Sequence, residues 1–403
     1  MTTSAEILFD PSSPELRRDP YPVYRRMREQ APAWRSPDGV WYLSRYADCF
    51  TMFRSAALSY DVTASPSVQR SLSPDPDKRA EQLKAIRRTR SLLDTDPPEH
   101  TRLRGLISYA FTAPSVERSR QAINDLVEQL MDEFDGPTVD VVSQYASLLP
   151  ILVICDMLGA PPEDREQFID IGNEIARSVD PGVPADERLA AVHRMRGYIA
   201  GLLERRRRDP GDDLITRLIE AGEDGRLASE DELLTNTGVL LIAGFETTTN
   251  LITNAVYQLL RHPDQLALLR ADPSIIRTTI EEVLRFDPPV HMMRARPIIS
   301  EMRLGDVVLR SGEGVVPLIA AANRDPAEFE DAETFDVRRR VNRNLSFGLG
   351  HHFCVGAALA RMEAQTAVLR LFERFPNLAL TDEEPEFRPN LTLRGFSRLT
   401  VSL

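Results

Sequence analysis

One stretch near the C-terminus decides how this chain is read: residues 347–356 have the sequence FGLGHHFCVG. The glycines at 348, 350 and 356 permit a tight loop and let a flat ligand approach the backbone closely. A strong helical pattern, Ala357 to Phe375, follows at once, so Cys354 stands at the start of a helix. Unpaired amides and the helix dipole stabilise a thiolate at such a position.

Several kinds of site are compatible with this loop. A thiolate is the strongly electron-donating axial ligand that a haem iron takes. A zinc site from His351, His352 and Cys354 is a second interpretation, although a fourth ligand and a second cysteine pair are not evident. A nucleophilic cysteine paired with a histidine is a third, because a helix start activates a thiol in the same way. A purely structural cysteine would not need the glycines.

A long helix is predicted upstream, over residues 230–261. Ser229 begins a capping box with Glu232, and His262-Pro263 ends the helix. About 32 residues at 1.5 Å each span about 48 Å, which is enough to cross a whole domain. The middle of this helix is apolar on all sides, so we expect it to lie in the core.

The segment 243–249 of this helix, AGFETTT, places a glycine, a carboxylate and three threonines in that core. Glycine and a buried carboxylate both cost stability, which favours a functional role. The Thr247 hydroxyl can bond the carbonyl of Ala243 and open the helix locally. We therefore predict a groove with a proton-donating Glu246/Thr247 pair at its edge; a merely kinked core helix is the alternative.

Composition excludes several classes of protein. The 403 residues are 42% hydrophobic and carry a net charge of −12, which argues against general nucleic-acid binding. The longest uncharged apolar runs are about eight residues, whereas a membrane span needs about 20. The N-terminus lacks the basic and apolar regions of a secretory signal, and three distant cysteines suggest no disulfide framework. We expect a cytoplasmic protein that neither crosses a membrane nor binds nucleic acid.

The chain reads as one domain, residues 1–403, mainly α with small β-sheets. A strand–turn–strand is predicted at 33–35 and 40–43, and a second β-rich patch at 301–317. The segment from 63 to 91 is polar, contains three prolines and ends in a basic run at Lys84, Arg87, Arg88 and Arg90. It predicts a long irregular loop, either functional or simply flexible.

The 347–356 loop resembles the haem-binding signature of the cytochrome P-450 superfamily at every fixed position, Phe-Gly-x-Gly-x-His-x-Cys-x-Gly. Other family motifs follow the expected order. Residues 243–248 are similar to its oxygen-activation motif, with Glu where some members have Asp, and 282–285 to its Glu-x-x-Arg. Residues 96–104, DPPEHTRLR, resemble the C-helix of soluble bacterial members. The resemblance implies the family fold, with a long central helix crossing over the haem.

Residue roles follow from this resemblance. It implies haem b with Cys354 as the axial ligand, and propionates held by two histidines and two arginines, which form strong charge-assisted bonds with carboxylates. The residues implied in cofactor binding are His100, Arg104, Ala243, Arg296, Phe347, Gly348, Gly350, His352, Cys354 and Gly356. Glu282 and Arg285 would anchor the fold beneath the haem. Many relatives complete that network with Arg or His where this chain has Thr334, so the third arm is absent or comes from Arg338 or Arg339.

The implied activity is monooxygenation in secondary metabolism, with Glu246 relaying protons from solvent to Thr247. No flavin or iron–sulfur domain is evident, so the resemblance implies electrons from a ferredoxin and its reductase. A basic patch for that partner is expected at Arg102, Arg338, Arg339, Arg340 and Arg343. A peroxide-using or non-oxygenating haem-thiolate enzyme and a non-catalytic haem sensor are the alternatives.

The substrate is the least constrained part of the prediction. By family position, the residues expected to line the pocket are Val239, Ile242, Ala243, His291, Met292, Arg294, Thr392 and Leu393. The polar side chains of His291 and Arg294, with the basic 84–90 run, suggest a small organic molecule that is acidic, phenolic or tethered to a carrier protein. Arg294 facing a haem propionate is the alternative.

Overall fold

The structure is a computed structural model that describes residues 9–11, 13–88, 90–178, 180, 182–224 and 229–403. Over these residues the fold is mainly helical with four small sheets, which confirms the predicted class. The first eight residues, where we expect no secretory signal, lie outside the described part.

The α-helices are α1 (Pro14–Arg18), α2 (Tyr21–Gln30), α3 (Tyr46–Arg54), α4 (Pro66–Ser71), α5 (Pro76–Arg88), α6 (Glu99–Ser108), α7 (Ala113–Arg118), α8 (Arg120–Asp132), α9 (Leu148–Met157), α10 (Arg165–Ser178), α11 (Ala185–Arg208), α12 (Leu214–Glu223), α13 (Glu230–Arg261), α14 (Pro263–Ala271), α15 (Ile276–Phe286), α16 (Ile319–Ala322) and α17 (Ala357–Arg374). The strands are β1 (Ala33–Arg35), β2 (Val40–Leu43), β3 (Thr138–Asp140), β4 (Arg296–Pro297), β5 (Met302–Leu304), β6 (Val307–Leu309), β7 (Gly314–Pro317), β8 (Ala379–Leu380), β9 (Glu386–Phe387), β10 (Phe396–Arg398) and β11 (Thr400–Ser402).

The central helix α13 has the bounds that the capping signals predict. The Ser229 hydroxyl accepts the amide of Glu232 at 3.2 Å, and the helix contacts α9, α10, α11, α15 and α17 along its length. Gly244 has a packing role, because a Cβ there would lie 2.6 Å from Cδ1 of Ile154 on α9. The helix is continuous through this region, so the expected local opening is not observed.

Two large apolar clusters divide α13 between them. Its C-terminal half, including Leu251 and Val256, packs with α8, α9, α15 and α17. Its N-terminal half, including Leu241 and Phe245, packs with α10, α11 and α12. The polar segment 243–249 therefore lies where the two clusters meet, which is why a groove can exist there without exposing either core.

The strands form small sheets against this helical body. β1 and β2 make the predicted hairpin, β2 pairs in parallel with β7, and β7 pairs antiparallel with β4. The predicted 301–317 patch contains the β5–β6 hairpin and β7. β9 pairs with β10, and β11 lies between β3 and β8.

The segment from 63 to 91 is largely helical, so the prediction of a long irregular loop is wrong. A short 3₁₀ turn at Val62–Ala64 is followed by α4 and then by α5. Pro66 and Pro76 stand at the first positions of these helices, where a missing N–H costs nothing. Residue 89 and the Arg88 side chain lie outside the described part; Lys84 and Arg87 are exposed on α5.

A buried ion pair lies at the end of α15. Glu282 and Arg285 are both fully buried and make a bidentate contact, with N···O distances of 2.7 and 2.8 Å. Arg285 also donates to the carbonyls of Asn323, Ala332 and Thr334 at 2.7–3.1 Å. An ion pair on a helix surface would contribute very little to the free energy of unfolding. Here each charge is desolvated and fully hydrogen-bonded, so the positions of its partners are tightly constrained.

Arg339 supplies the third arm of this network. Its Nε lies 3.1 and 3.2 Å from the two oxygens of Glu282, taking the role that Thr334 leaves open. The amide of Asp336 and the side chain of Asn342 donate to the same carboxylate at 2.9 and 3.2 Å. A single glutamate thus organises the segment that leads into the Cys354 loop.

Removing the charge of Glu282 should strongly destabilise the protein. Glu282→Gln leaves Arg285 and Arg339 buried without a counter-ion, which typically costs about 3–5 kcal/mol. Thermal unfolding of the purified protein measures the effect. The control is Glu117→Gln, since Glu117 and Arg120 form an exposed pair at 2.6 Å and its loss should change little. Equal, small shifts in the two variants would contradict this account of the network.

Candidate functional site

The Cys354 loop has the tight geometry that its glycines predict. Gly348 and Gly350 have φ of 66° and 70°, in the left-handed region that favours glycine. At Gly350 a Cβ would lie 3.2 Å from the carbonyl oxygen of Phe53, so the loop also passes close to neighbouring backbone. The amide of Cys354 donates to the carbonyl of Phe347 at 2.9 Å, which closes the loop on itself.

The Cys354 thiol lies directly before α17. The amides of Gly356 and Ala357, at the start of this helix, lower the pKa of the Cys354 thiol, and Arg104 and Arg361 act in the same direction. Burial is the largest influence and raises the pKa of the Cys354 thiol. A half-buried thiol near backbone amides and cations suits a ligand for a metal cation, whose charge deprotonates it outright.

Three of the four predicted propionate ligands meet around one tyrosine ring. The His352 ring stacks on Tyr60 with centroids 3.6 Å apart and lies 4.1 Å from the His100 ring. The Arg296 guanidinium lies 4.6 Å from the centroid of Tyr60. Arg104, the fourth, donates to the carbonyl of His351 at 3.0 Å, at the same loop.

Electrostatics at this cluster favour an anionic ligand. Burial, with adjacent positive groups, lowers the pKa of His100 to about 4 and that of His352 to about 2. Burial likewise lowers the pKa of Arg296 to about 10. These are shifts that a bound carboxylate would reverse, because an opposite charge favours the protonated form of each group.

The donors present fit a haem. Both ring nitrogens of His100 and Nε of Arg296 are buried and have no hydrogen-bond partner among the described residues. Two imidazoles and two guanidiniums match the two carboxylates of a haem edge, and the thiol of Cys354 matches its axial position. Buried unpaired donors are costly, so their convergence here indicates a ligand-binding role.

The geometry does not support the predicted zinc site of His351, His352 and Cys354. Over the described residues, the group that could share an ion near this loop is Asp96, His351 and His352, without Cys354. The Asp96 carboxylate already accepts the Ser59 hydroxyl and the amide of Tyr60. Cys354 instead faces the start of α17, apart from the imidazoles.

The predicted groove residues of α13 point in two directions. Thr247 Oγ1 donates to the carbonyl of Ala243 at 2.8 Å, as expected, and Ala243 is exposed on the same face. Glu246 lies on another face, only 2% exposed. The two members of the predicted proton-delivering pair thus lie on different faces of the helix.

Glu246 is held by an arginine that follows β9. Arg388 Nη1 contacts both carboxylate oxygens, at 2.5 and 2.6 Å, and Asn250 Nδ2 lies 3.3 Å away. Arg388 Nη2 also donates to Asp180 at 2.9 Å and to the carbonyl of Ala176 at the end of α10. Burial raises the pKa of Glu246, and the charge of Arg388 opposes that rise. Glu246 is therefore buried in the core and does not lie at a groove edge beside Thr247, where the pair was predicted.

The predicted pocket residues come together only in part. Val239 and Ile242 are half-buried on α13, and Thr392 and Leu393 are half-buried near the C-terminus. The amide of His291 bonds the carbonyl of Thr392 at 3.0 Å, so the 290–292 segment runs beside these residues. Met292, in contrast, is buried in the apolar cluster of α2 and α16.

The polar side chains expected in the pocket lie elsewhere. The His291 ring is fully buried, with Nδ1 3.3 Å from the Tyr24 hydroxyl and Nε2 3.6 Å from Asp287, so it does not line a pocket. Arg294 donates to Asp94 at 2.6 Å, and its side chain is 63% exposed. The two polar side chains that suggested an acidic or phenolic substrate are thus bonded to other residues of the protein.

The sequence did not predict the residues that bind Glu246, or the tyrosine ring on which His352 stacks. Arg388 and Asp180 lie far from the 243–249 segment, and no local spacing points to either residue. Tyr60 was likewise unsuspected. The only available signal was energetic, because a carboxylate predicted in the core requires a buried cation somewhere in the chain.

Comparison with known proteins agrees with this geometry. The cytochrome P-450 family model matches residues 47–401. Cytochrome P-450 107B1 of Saccharopolyspora erythraea is 40% identical over 390 residues, 95% of each chain. Vitamin D(3) 25-hydroxylase of Pseudonocardia autotrophica is 38% identical over 411 residues, covering 100% of this chain and 98% of that protein. The structure of PksS, the cytochrome P-450 of the Bacillus subtilis 168 bacillaene polyketide synthase, matches with a TM-score of 0.88 and 35% identity over 98% of this chain and 100% of that one.

No described helix is both long enough and apolar enough to span a bilayer. The family match covers the signature loop, the α13 segment and the Glu282/Arg285 pair, and it brings haem as the cofactor. The chain belongs to the cytochrome P-450 family and is a haem-dependent monooxygenase.

Proposed function

We propose that this monooxygenase inserts one oxygen atom of O₂ into an apolar secondary metabolite, by hydroxylation or epoxidation, with electrons from a separate ferredoxin and ferredoxin reductase. The observation that carries the proposal is the Thr247 hydroxyl on the exposed face of α13, one residue from the buried Glu246. A non-oxygenating enzyme would have no use for a proton donor there.

An apolar substrate is favoured by what lines the groove. Val239, Ile242 and Leu393 are half-buried apolar residues, whereas His291 and Arg294 are bonded elsewhere. The relatives indicate classes of substrate to test, since one is a vitamin D(3) 25-hydroxylase and another belongs to a polyketide synthase. A polyketide, free or bound to a carrier protein, or a compound of the size of vitamin D(3) fits these features.

Cofactor binding is assigned to residues already described. Cys354 would ligate the haem iron as a thiolate, while His100, Arg104, Arg296 and His352 would bind the propionates. When bound, the haem supplies the reductive activation of O₂. The rest of the chemistry is positional: α13 orients the substrate, and the two apolar clusters around it exclude water.

Proton delivery is divided between two faces of α13. The Thr247 Oγ1 proton lies on the groove side, and the Glu246 carboxyl lies behind it in the core. Arg388 links Glu246 to Asp180, which lies outside the helical core near the end of α10. We infer that Glu246 is the proton reserve behind Thr247 and that Arg388, held in turn by Asp180, sets the pH at which Glu246 is protonated.

Removing the Thr247 hydroxyl should uncouple electron use from product. With vitamin D(3) and polyketide lactones as test substrates, wild-type product should carry ¹⁸O from ¹⁸O₂. In Thr247→Ala, product formed per NAD(P)H should fall by about tenfold or more, with hydrogen peroxide in its place. Thr249→Ala is the matched control, because Thr249 makes the same bond to the carbonyl four residues back, at 3.0 Å, but is buried. Unchanged coupling in Thr247→Ala would refute the assignment.

Arg388 should control the pH range of turnover. Its charge lowers the pKa of Glu246, so Arg388→Gln should raise that pKa further and keep the carboxyl protonated to higher pH. We expect the limb of the pH–rate profile that reports Glu246 to move to higher pH, with a larger solvent deuterium isotope effect. Arg388→Lys keeps the charge and should resemble the wild type. Superimposable profiles of all three proteins would exclude a role for Arg388.

The ferredoxin-docking surface is smaller than the sequence suggested. Arg339 donates to the buried Glu282, and Arg102 donates to Glu232 at 2.6 and 3.0 Å. Arg338, Arg340 and Arg343 remain exposed on the segment that leads into the Cys354 loop. Exposed Val341 (65%) and Phe353 (40%) accompany them, so the proposed docking patch has an apolar centre with a cationic rim.

Charge reversal in this patch should slow reduction. Arg340→Glu with Arg343→Glu should lower the rate of ferredoxin-dependent reduction at low ionic strength, and added salt should reduce the difference. Stopped-flow reduction measures the rate, and reduction by dithionite should be unaffected. Arg188→Glu, an exposed change on α11, is the control. Wild-type rates at low salt would exclude this face.

A further inference from the structure

Arg361, on α17, lies over the ring of Phe347 in the Cys354 loop. Its Cζ is 4.3 Å from the ring centroid, within the range of a favourable cation–π contact. Phe347 is the residue whose carbonyl accepts the Cys354 amide at 2.9 Å. A guanidinium charge is therefore held against the residue that is hydrogen-bonded to the cysteine.

The orientation of this guanidinium is set from α15. Nε and Nη2 of Arg361 both contact the Glu281 carboxylate, the second at 3.1 Å, and Nη1 lies 3.4 Å from the carbonyl of Ala357. Asn344 donates to the same carboxylate at 3.3 Å. The pair is about 30% exposed, so water screens it only in part. Arg361 is thus a fixed charge, not a mobile surface side chain.

This charge is near enough to act on the sulfur. Arg361 contacts the chain on both sides of Cys354, the Phe347 ring before it and the carbonyl of Ala357 after it. A positive charge near a thiolate stabilises the electron density on sulfur, and it stabilises any added negative charge on the ligated iron as well. Glu281 carries the opposite charge, in direct contact with the guanidinium, and opposes both effects.

We propose that Arg361 and Glu281 act as a pair of positioning residues that set the reduction potential of the haem iron, Arg361 raising it and Glu281 lowering it. The proposal rests on axial ligation by Cys354. The step concerned is transfer of one electron from an external donor, a ferredoxin or dithionite, to the ferric haem, giving the ferrous form with the thiolate still bound. No bond of the protein forms or breaks in it.

Two neutral variants should move the potential in opposite directions. Arg361→Gln should lower the equilibrium constant for one-electron reduction about three- to tenfold, where tenfold corresponds to about 59 mV, and Glu281→Gln should raise it by a similar factor. Spectroelectrochemical titration of the substrate-free holoenzyme measures both. Arg361→Lys keeps the charge and should stay near the wild type. Arg370→Gln, which removes an exposed charge from the same helix, should have no effect.

Loosened packing could not produce opposite signs, so the pair of variants separates an electrostatic role from a structural one. Shifts of the same sign, or an unchanged potential in Arg361→Gln, would overturn the proposal. If Arg361→Gln loses haem, the other two variants test the proposal. Glu281→Gln should then raise the reduction potential, and Arg361→Lys should keep the wild-type potential. Failure of the underlying ligation would appear separately: the carbon monoxide complex of the reduced wild type would then lack the red-shifted Soret band of a thiolate ligand.

Discussion

The carboxylate of Glu282 is the contact on which the Cys354 side of the molecule depends. It binds two arginines, and Arg285 in turn satisfies three carbonyls of the segment 323–334. The same segment holds the loop, because the Asn323 side chain bonds the amide of Leu345 and the hydroxyl of Ser346. A fully buried charge tolerates few arrangements of its partners, so this part of the chain has essentially one conformation available.

A second constraint lies in α13, where one helix presents both a partly exposed face and a buried face. The Thr247 hydroxyl bonds the carbonyl of Ala243, four residues earlier, so these two residues share the more exposed face, whereas Glu246 points about 100° away from Thr247 and is buried. The buried carboxylate is then tolerated only because Arg388 neutralises it. Gly395 allows this arrangement, since a Cβ there would lie 2.0 Å from the Asn250 amide oxygen. The acid is kept from bulk water and is joined to a largely buried polar chain formed by Arg388 and Asp180.

Both sides of the site use charges fixed by distant partners. Arg361 is oriented by Glu281 of α15, and Arg388 by Asp180 beyond α10. In each case a cation is held in place at the candidate site, beside the Cys354 loop on one side and the Glu246 carboxyl on the other. Such preorganised charges cost no reorganisation during reaction, which is why they are effective in a site that excludes water.

Much of the fold was readable in the sequence because its signals are local. Capping residues determined the bounds of α13, turn chemistry determined β1 and β2, and glycine spacing marked the Cys354 loop. The segment 63–91 was misjudged because its prolines stand at helix starts, where they favour the helix instead of breaking it. His291 was misjudged because a family position says nothing about which way a side chain turns.

By itself the sequence determined the helical class, the thiol at a helix start, the long central helix and the Thr247 contact, since each depends on residues within about a turn of one another. Only the tertiary structure decided that Arg388 neutralises Glu246, that Arg339 replaces the missing arm at Glu282, and that Arg361 lies over Phe347. These contacts join residues between 14 and 142 positions apart. Which cation meets which buried anion depends on how whole helices pack, and no local spacing encodes that choice.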